Sequence, residues 1–236
     1  MTRRRWIADE VSGQIAALTG SHAEHLSRAL RARVGQEFDI AIGDEVRRGR
    51  VIRIEDGRVE LELGELVPAA VEPQIILALS IFKFDRMEWA IEKCTELGLA
   101  QIVPVIAQRT EKHLAAAAAK RVERWRRIAR QAAEQSRRSS PPEICAPLKL
   151  KDVVSLAAEA RILLCESEQA LRLKDALAPQ AAGRIALAVG PEGGWTEKEI
   201  ESFCEAGWVS ASLGGNILRA ETAAIAALAV VICELP

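Results

Sequence analysis

The sequence predicts an α/β domain built on a parallel sheet, preceded by a small and mostly β module. Three observations carry that prediction. From residue 75 onward, strand-like apolar runs alternate with stretches of helical periodicity, the pattern of βαβ units. Residues 75–82 are apolar but for Ser80, as expected of a strand buried on both faces. Ahead of them, residues 37–42, 46–54 and 59–63 alternate apolar and polar side chains, with Gly43-Asp44 and Asp56-Gly57 between the runs. Asp-Gly between alternating runs is a strong hairpin signal.

In chain order, residues 5–11 read as a strand. Ser21-His-Ala-Glu24 has capping-box spacing, and Leu26, Leu30 and Val34 follow at i, i+4 and i+8 up to Gly35, which predicts one short helix. The three alternating runs then complete an antiparallel barrel or curled sheet. Pro68 and Pro73 mark a linker, dividing the chain into domains at 1–70 and 73–236. Asp85-x-x-Glu88 opens a helix that carries Ala90, Ile91, Cys94 and Leu97 inward and ends at Gly98. Residues 102–106 are the next strand, although Pro104 is foreign to a central strand. A long helix over 114–135 places Ala118, Val122, Trp125 and Ala129 on one face, and Pro141-Pro142 breaks the chain. There follow a helix at 153–160, a strand at 161–165, a helix to 177 and a strand at 185–189. Thr196-x-x-Glu199 caps a helix ending at Gly207. A strand at 209–213 and a last helix from about 218 complete the series.

Composition bounds the function classes. The chain has 236 residues, 49% hydrophobic and 28% charged, which suits a globular protein and is too apolar for disorder. Lys and Arg number 32 against 33 Asp and Glu, so a uniformly basic protein is excluded. Charge is nevertheless segregated. Residues 109–138 hold ten cations and three acids, a net +7, and Arg28, Arg31, Arg33, Arg47, Arg48, Arg50 and Arg53 form smaller clusters. Taken together these blocks favour an RNA partner over solvated faces. The basic start has no apolar run behind it, so no signal peptide is expected. The longest apolar run, 223–233, is 11 residues, short of the ~20 that span a bilayer, so no membrane partner is expected. Five scattered cysteines without a C-x-x-C pair point to buried thiols in a reducing cytoplasm. His22 and His25 lack a third ligand, so no metal is expected.

Ligands of open α/β sheets sit beyond the carboxyl ends of strands. Two glycine-rich loops stand there. Gly190-Pro-Glu-Gly-Gly194 joins the strand at 185–189 to a capped helix, and Gly214-Gly215-Asn216 joins the strand at 209–213 to the last helix. Glycines let backbone amides approach a ligand closely, and a helix start adds free N–H donors. Neither loop has the spacing of a Walker or dinucleotide fingerprint. The last helix begins Ile217-Leu-Arg219-Ala-Glu221-Thr222 and is then apolar on every side, so it is buried among other elements or in a partner subunit. Arg219 and Glu221 stand at its polar mouth. Being two residues apart, they serve different partners rather than each other.

Those same residues carry a resemblance. Gly190-Pro-Glu-Gly-Gly-Trp-Thr-Glu-Lys-Glu-Ile200, Ser212-Leu-Gly214 and Ile217-Leu-Arg-Ala-Glu-Thr-Ala223 resemble the C-terminal motifs of the RsmE family. These are the 16S ribosomal RNA uracil-N3 methyltransferases of the SPOUT superfamily. Lys83-Phe-Asp-Arg-Met-Glu-Trp-Ala-Ile-Glu-Lys-Cys-Thr-Glu-Leu-Gly98, Glu134-Gln-Ser136 with Arg138, and His25-Leu-x-Arg28-x-Leu-Arg31 resemble it upstream, in order along nearly the whole chain.

The resemblance implies an N-terminal PUA-like RNA-binding β-barrel and a SPOUT-type parallel sheet whose C-terminal end forms a trefoil knot. It implies a cytoplasmic homodimer that takes S-adenosyl-L-methionine as cofactor and 16S rRNA of the small ribosomal subunit as substrate. Carried onto this chain, the cofactor residues are Leu164, Glu166, Gly190, Glu192, Gly193, Leu213, Gly214, Ile217, Leu218 and Thr222. The RNA-binding residues are Arg28, Arg31, Arg124, Arg127 and Arg138. N3 of uridine carries a proton on its pairing edge, so the base must be splayed out and deprotonated. Arg219 or Arg109 would stabilise the resulting anion, and Glu192 or Glu221 would act as base. The chain departs from the family at Gln108, at Gly215-Asn216 and at Ala220, which leaves roles for the side chains at 108, 216 and 220 open. Two other functions stay open as well: a methyltransferase acting on another RNA, and a non-catalytic RNA- or ribosome-binding protein.

Overall fold

The computed structural model of the chain describes residues 5–43, 45–68, 74–136, 138–177 and 183–235. Asp44, Pro73 and Arg137, and with them the centre of the linker expected at 68–73, lie outside the described residues. The chain forms two compact units, residues 1–71 with 133–141, and residues 72–132 with 142–236.

The first unit holds β1 (Arg5–Ile7), β2 (Glu10–Ser12), β3 (Ile15–Thr19), α1 (Gly20–Glu24) followed by one wider turn at His25–Ala29, β4 (Glu37–Ile42), β5 (Glu45–Glu55) and β6 (Arg58–Leu66). The strand order is β1-β4-β5-β6-β3-β2. The strand expected at 5–11 is thus two strands at opposite ends of that order, separated by Ala8 and Asp9 alone. Ala8 N donates to Ala41 O and Asp9 N to Ala17 O, each at 3.0 Å, so these two residues step from one edge of the sheet to the other. The sheet must curl on itself for that to happen, bringing its two end strands together at these residues. Pairing is antiparallel throughout except β1 with β4, which is parallel, a departure from the all-antiparallel expectation. Trp6, Leu18, Leu26, Phe38, Ile40, Val51, Val59 and Leu61 fill the interior. Asp56-Gly57 makes the expected hairpin, with Glu55 opposite Arg58 and Gly57 at φ 72°. The capping box expected at Ser21 is absent: Thr19 precedes the helix and makes no side-chain cap.

The second unit holds β7 (Ile75–Ser80), α2 (Phe84–Glu96), β8 (Gln101–Ile106), α3 (Lys112–Ala118), α4 (Val122–Gln135), β9 (Glu143–Ile144), β10 (Leu148–Lys149), α5 (Leu150–Val153), β11 (Ala160–Leu164), α6 (Leu173–Leu177), β12 (Ile185–Val189), α7 (Glu197–Glu205), β13 (Val209–Ala211) and α8 (Ala220–Glu234). All pairing is parallel, in the order β10-β8-β7-β12-β11-β13, with β9 also on β8. β7 and β12 lie at its centre and are buried at every position, because helices cover both faces.

Pro104 does belong to a strand. β9 pairs with β8 at Gln101 and Ile102, and β10 at Val105 and Ile106. Pro104 falls in the gap between them, where no N–H is demanded. The long helix expected at 114–135 starts earlier, at Lys112, and is interrupted by a tighter turn at Ala119–Arg121. Its predicted face is nonetheless the buried one: Ala118, Val122, Trp125 and Ala129. The helix expected at 153–160 is a single turn, α5. Asp85 is not a cap either; Lys83 stands at that position without a side-chain bond. Of the five cysteines, Cys94 and Cys165 are buried, but Cys204 and Cys233 are exposed. Burial pushes the Cys94 thiol up to about 12, so it stays protonated and inert. No helix among the described residues is long and apolar enough to cross a membrane.

Candidate functional site

β11, β12 and β13 are adjacent and parallel, so the loops that leave their carboxyl ends meet: 165–172, 190–196 and 212–219. Backbone hydrogen bonds weave the first and third together. Cys165 N donates to Ala211 O at 3.0 Å, Ser212 N to Leu171 O at 2.9 Å, and Leu173 N to Ser212 O at 3.0 Å. Glu168 folds back within its own loop and accepts from Ala170 N at 2.8 Å and Leu171 N at 3.2 Å. Those backbone donors favour the anion and hold its pKa below the ordinary carboxylate value.

The middle loop is fixed from two sides. Thr196 forms the predicted capping box with Glu199. Glu199, itself 4% exposed, also accepts Gln108 N at 2.7 Å, while Thr196 Oγ1 donates to Gln108 Oε1 at 2.9 Å. The loop after β8 is thereby bolted to the loop after β12, and the side chain at 108 has a structural contact. Arg109 donates to the carbonyls of Gly193 and Trp195. Gly190 lies against Trp195: a Cβ there would meet Trp195 Nε1 at 3.2 Å and Trp195 N at 3.3 Å. Trp195 is held in place by an edge-to-face stack on Phe203 and, through it, Trp208. Gly194 and Gly214 have φ of 69° and 141°, backbone that other residues rarely adopt.

These loops enclose a cavity of about 300 Å³, at the small end of the ~300–1,000 Å³ typical of ligand sites. Leu164, Glu166, Gly190, Glu192, Leu213, Gly214, Ile217 and Leu218 all line it, and so does Arg109. Gly193 and Thr222, also expected to bind cofactor, are exposed and do not line it. Sequence reasoning missed Trp195, Ile200 and Ala223, which also line it; apolar residues of this kind read as core in a sequence. Asn216 and Ala220, two of the departures from the family pattern, are in the wall as well. Arg219 is exposed at the position preceding α8, and Glu221 is 4% exposed in the first turn.

The residues expected to meet RNA are scattered in their surroundings. Arg28 is exposed and 3.0 Å from Asp56. Arg31 is exposed in a left-handed conformation, φ 52°, just after the first helix. Arg124 makes a bidentate pair with Glu88 at 2.6 and 2.8 Å. Arg127 is exposed, whereas Arg138 is only 6% exposed, so its guanidinium faces protein rather than a phosphate. His22 lies between Asp9 at 2.9 Å and Glu134 at 3.3 Å. No group of three or more metal-ligating side chains occurs among the described residues.

Comparison with known proteins gives this geometry its context. A family described as RNA methyltransferase domain matches residues 70–232. The ribosomal RNA small subunit methyltransferase E of Synechocystis sp. is 33% identical over 226 residues, covering 94% of this chain and 74% of its own. Its counterpart in Mycobacterium bovis is 34% identical over 231 residues, covering 93% and 87%. Among solved structures, a ribosomal RNA small subunit methyltransferase E from Neisseria gonorrhoeae bound to S-adenosyl methionine superposes with a TM-score of 0.85 at 32% identity, over 97% of this chain and 96% of the other. A putative methyltransferase from Legionella pneumophila in complex with the same cofactor gives a TM-score of 0.84 at 28% identity, over 98% and 97%. The fold, a curled six-stranded sheet followed by a parallel α/β sheet, is thus shared with these structures, and the chain belongs to the ribosomal RNA small subunit methyltransferase E family.

Proposed function

We propose that this chain transfers a methyl group from S-adenosylmethionine to N3 of a uridine in 16S rRNA of the small ribosomal subunit. The observation that carries the reading is the cavity at the convergence of the three loops, in a chain whose relatives of known structure hold that cofactor. The residues fit such a group. Glycine backbone at 190, 194 and 214 admits close approach, Leu164, Leu213 and Leu218 offer apolar walls, and Glu166 and Glu192 offer carboxylates to hydroxyl or ammonium groups.

S-adenosylmethionine, when bound, supplies an already activated methyl group, so what the protein adds is orientation and exclusion of water. Arg219, exposed beside the cavity mouth, would meet the uridine anion. Arg109 has its guanidinium engaged with Gly193 and Trp195 and would act by holding the loop. Glu192, on the cavity wall, is the better placed of the two candidate bases, because Glu221 is buried. Arg28, Arg31 and Arg127 would contact phosphate.

The knotted path of the family is supported by the position of β11 between β12 and β13 and by the interlacing of 165–172 with 211–212. A homodimer is supported by α8, where Ala223, Ile225, Val230 and Ile232 remain half-buried.

The test is methyl transfer with purified protein to small subunits, naked 16S rRNA and tRNA, followed by mass-spectrometric mapping of the modified base. One N3-methyluridine in 16S rRNA is expected. Calorimetry showing no S-adenosylmethionine binding would instead favour a non-catalytic RNA binder, and modified tRNA alone would redirect the substrate.

A further inference from the structure

One side chain outside the cavity touches two of the segments that form its mouth. Arg86 lies in the first turn of α2, which starts four residues beyond β7 and therefore sits at the same carboxyl edge of the sheet as the three loops. Met87, Ala90, Ile91 and Cys94 are buried and fix the rotation of the helix, which leaves Arg86 at the boundary between core and solvent. Its Nη1 donates to Glu192 Oε1 at 2.9 Å, and its Nε lies 3.8 Å from Glu221 Oε1. Glu192 belongs to the loop after β12 and faces the cavity. Glu221 belongs to the first turn of α8, between Ala220 and Ala223, which also line it.

Glu221 is the unusual member of this group. Its side chain is 5% exposed, and Oε2 is buried without a hydrogen-bond partner among the described residues. A buried carboxylate is costly unless compensated. Here the compensation is the guanidinium of Arg86, ion-paired with the other oxygen, and the N-terminal turn of α8. The planar fork of arginine suits a bridge between two carboxylates, which a lysine ammonium cannot span in the same geometry.

We propose that Arg86 is a positioning residue: it clamps the loop 190–194 to the start of α8 through Glu192 and Glu221, and so sets the shape of the cavity mouth without touching what binds there. The inference rests on the reading of the cavity as an S-adenosylmethionine site. It assigns Glu192 a fixed rather than a swinging carboxylate, and it makes α2 part of the cofactor site although no residue of α2 lines the cavity.

The experiment is calorimetry with S-adenosylmethionine on the full chain and on Arg86→Ala, Arg86→Lys, Glu192→Gln and the Arg86→Ala/Glu192→Gln double variant, alongside thermal melting and steady-state methyl transfer. Absence of binding to the unsubstituted protein would strike the cofactor reading itself. Given binding there, Arg86→Ala is expected to weaken it about tenfold, the scale of coupling between contacting residues. Arg86→Lys should recover part of that loss by keeping the Glu192 contact. The double variant should be no weaker than the worse single one, because both break the same clamp. KM for S-adenosylmethionine should rise more than kcat falls. Binding by Arg86→Ala within twofold of the unsubstituted protein, or single effects that multiply in the double variant, would overturn the proposal. Should Arg86→Ala fail to fold, the pair Arg86→Lys and Glu192→Gln is decisive in the same way: combined losses that multiply refute the clamp.

Discussion

The cavity and the basic stretch at 109–138 are made of different materials. The cavity is shaped by backbone: glycines at strand ends, amides that hydrogen-bond between loops, and a capping box that fixes the middle one. The basic stretch is made of long side chains, and the fold uses many of them internally. Arg124 and Arg121 both pair with Glu88, Arg126 pairs with Glu123 and donates to Ile144 O, Arg109 is engaged with loop carbonyls, and Arg138 is buried. Arg127, Lys112 and Lys120 remain exposed. A net charge of +7 counted along the sequence is therefore not the same as a +7 surface. Backbone geometry at a site survives translation from sequence to structure, while a charge count is edited by packing.

The contrast is sharpest at Gly190. A valine there would press its branched Cβ onto Trp195, whose nearest atoms already lie 3.2–3.3 Å from a Cβ at this position. Overpacking of that kind costs about 1–3 kcal/mol. Because the strained wall is the binding site, S-adenosylmethionine affinity should fall on the order of 100-fold, the equivalent of ~2.7 kcal/mol. Gly215→Val is the control. Nothing lies within 4 Å of a Cβ at Gly215, and calorimetry should return an affinity close to that of the unsubstituted protein. Equal losses at both positions would mean that the two loops are simply intolerant of side chains.

A smaller effect, on stability rather than affinity, is expected at Glu199. Its carboxylate serves Gln108 N at 2.7 Å and Thr196 N at 2.9 Å, and Glu199→Ala would orphan both. Leaving buried donors unsatisfied costs ~1–3 kcal/mol each, so urea denaturation should show a loss of about 3 kcal/mol. Hydrogen exchange should be faster at Gln108 and Thr196 than elsewhere. A uniform increase across the sheet would show that the bolt between the two loops is not local.

What was legible in the sequence follows the same division. The main alternation of strands and helices in the second unit, the buried face of α3 and α4, the capping box at Thr196 and the two glycine loops all rest on periodicity or local backbone chemistry and are present, whereas the two-residue strands β9 and β10 are too short to leave a periodic signal and were not legible. The step of the chain at Ala8 and Asp9 from one sheet edge to the other was not legible. A parallel pairing of β1 with β4 is a long-range choice that alternation along one strand cannot encode. Nor was the role of Arg86. A single arginine in a first helical turn has no spacing signal, and only the fold brings Glu192 and Glu221 to it. Arg138 misled for the complementary reason: a cation in a basic run looks solvent-facing until its surroundings are known.

RNA affinity should separate exposed from engaged arginines by a modest margin. Arg127 is exposed without an ion-pair partner among the described residues, so Arg127→Ala should weaken binding to small subunits several-fold and reduce the salt slope by about one. Arg124→Ala removes a cation already neutralised by Glu88 and should change the slope less. Filter binding across a salt series measures both. Identical slopes for the two variants would show that pairing in the free protein does not decide which arginines meet phosphate.

The smallest expected effect is one of pH, and it lies on the cavity side of the comparison. Glu168 has its pKa lowered by the backbone amides of Ala170 and Leu171. In an unfolded chain the same carboxyl would titrate at its ordinary, higher value, so the unfolded state binds the proton first as the solution is acidified. The contribution of Glu168 to the order of loop 165–172 is therefore complete above the ordinary carboxylate range, and it is lost as pH falls through the lowered native value. Because the amides that hold Glu168 belong to its own loop, the change should be confined there. Protection of the Ala170 and Leu171 amides against hydrogen exchange should decline on acidification in the unsubstituted protein, whereas in Glu168→Gln it should be lower at neutral pH and nearly flat with pH. A pH-dependent loss of protection that persists in Glu168→Gln would assign the titration to another group. The backbone of this loop would then be held by the sheet alone, as that of a purely main-chain site should be.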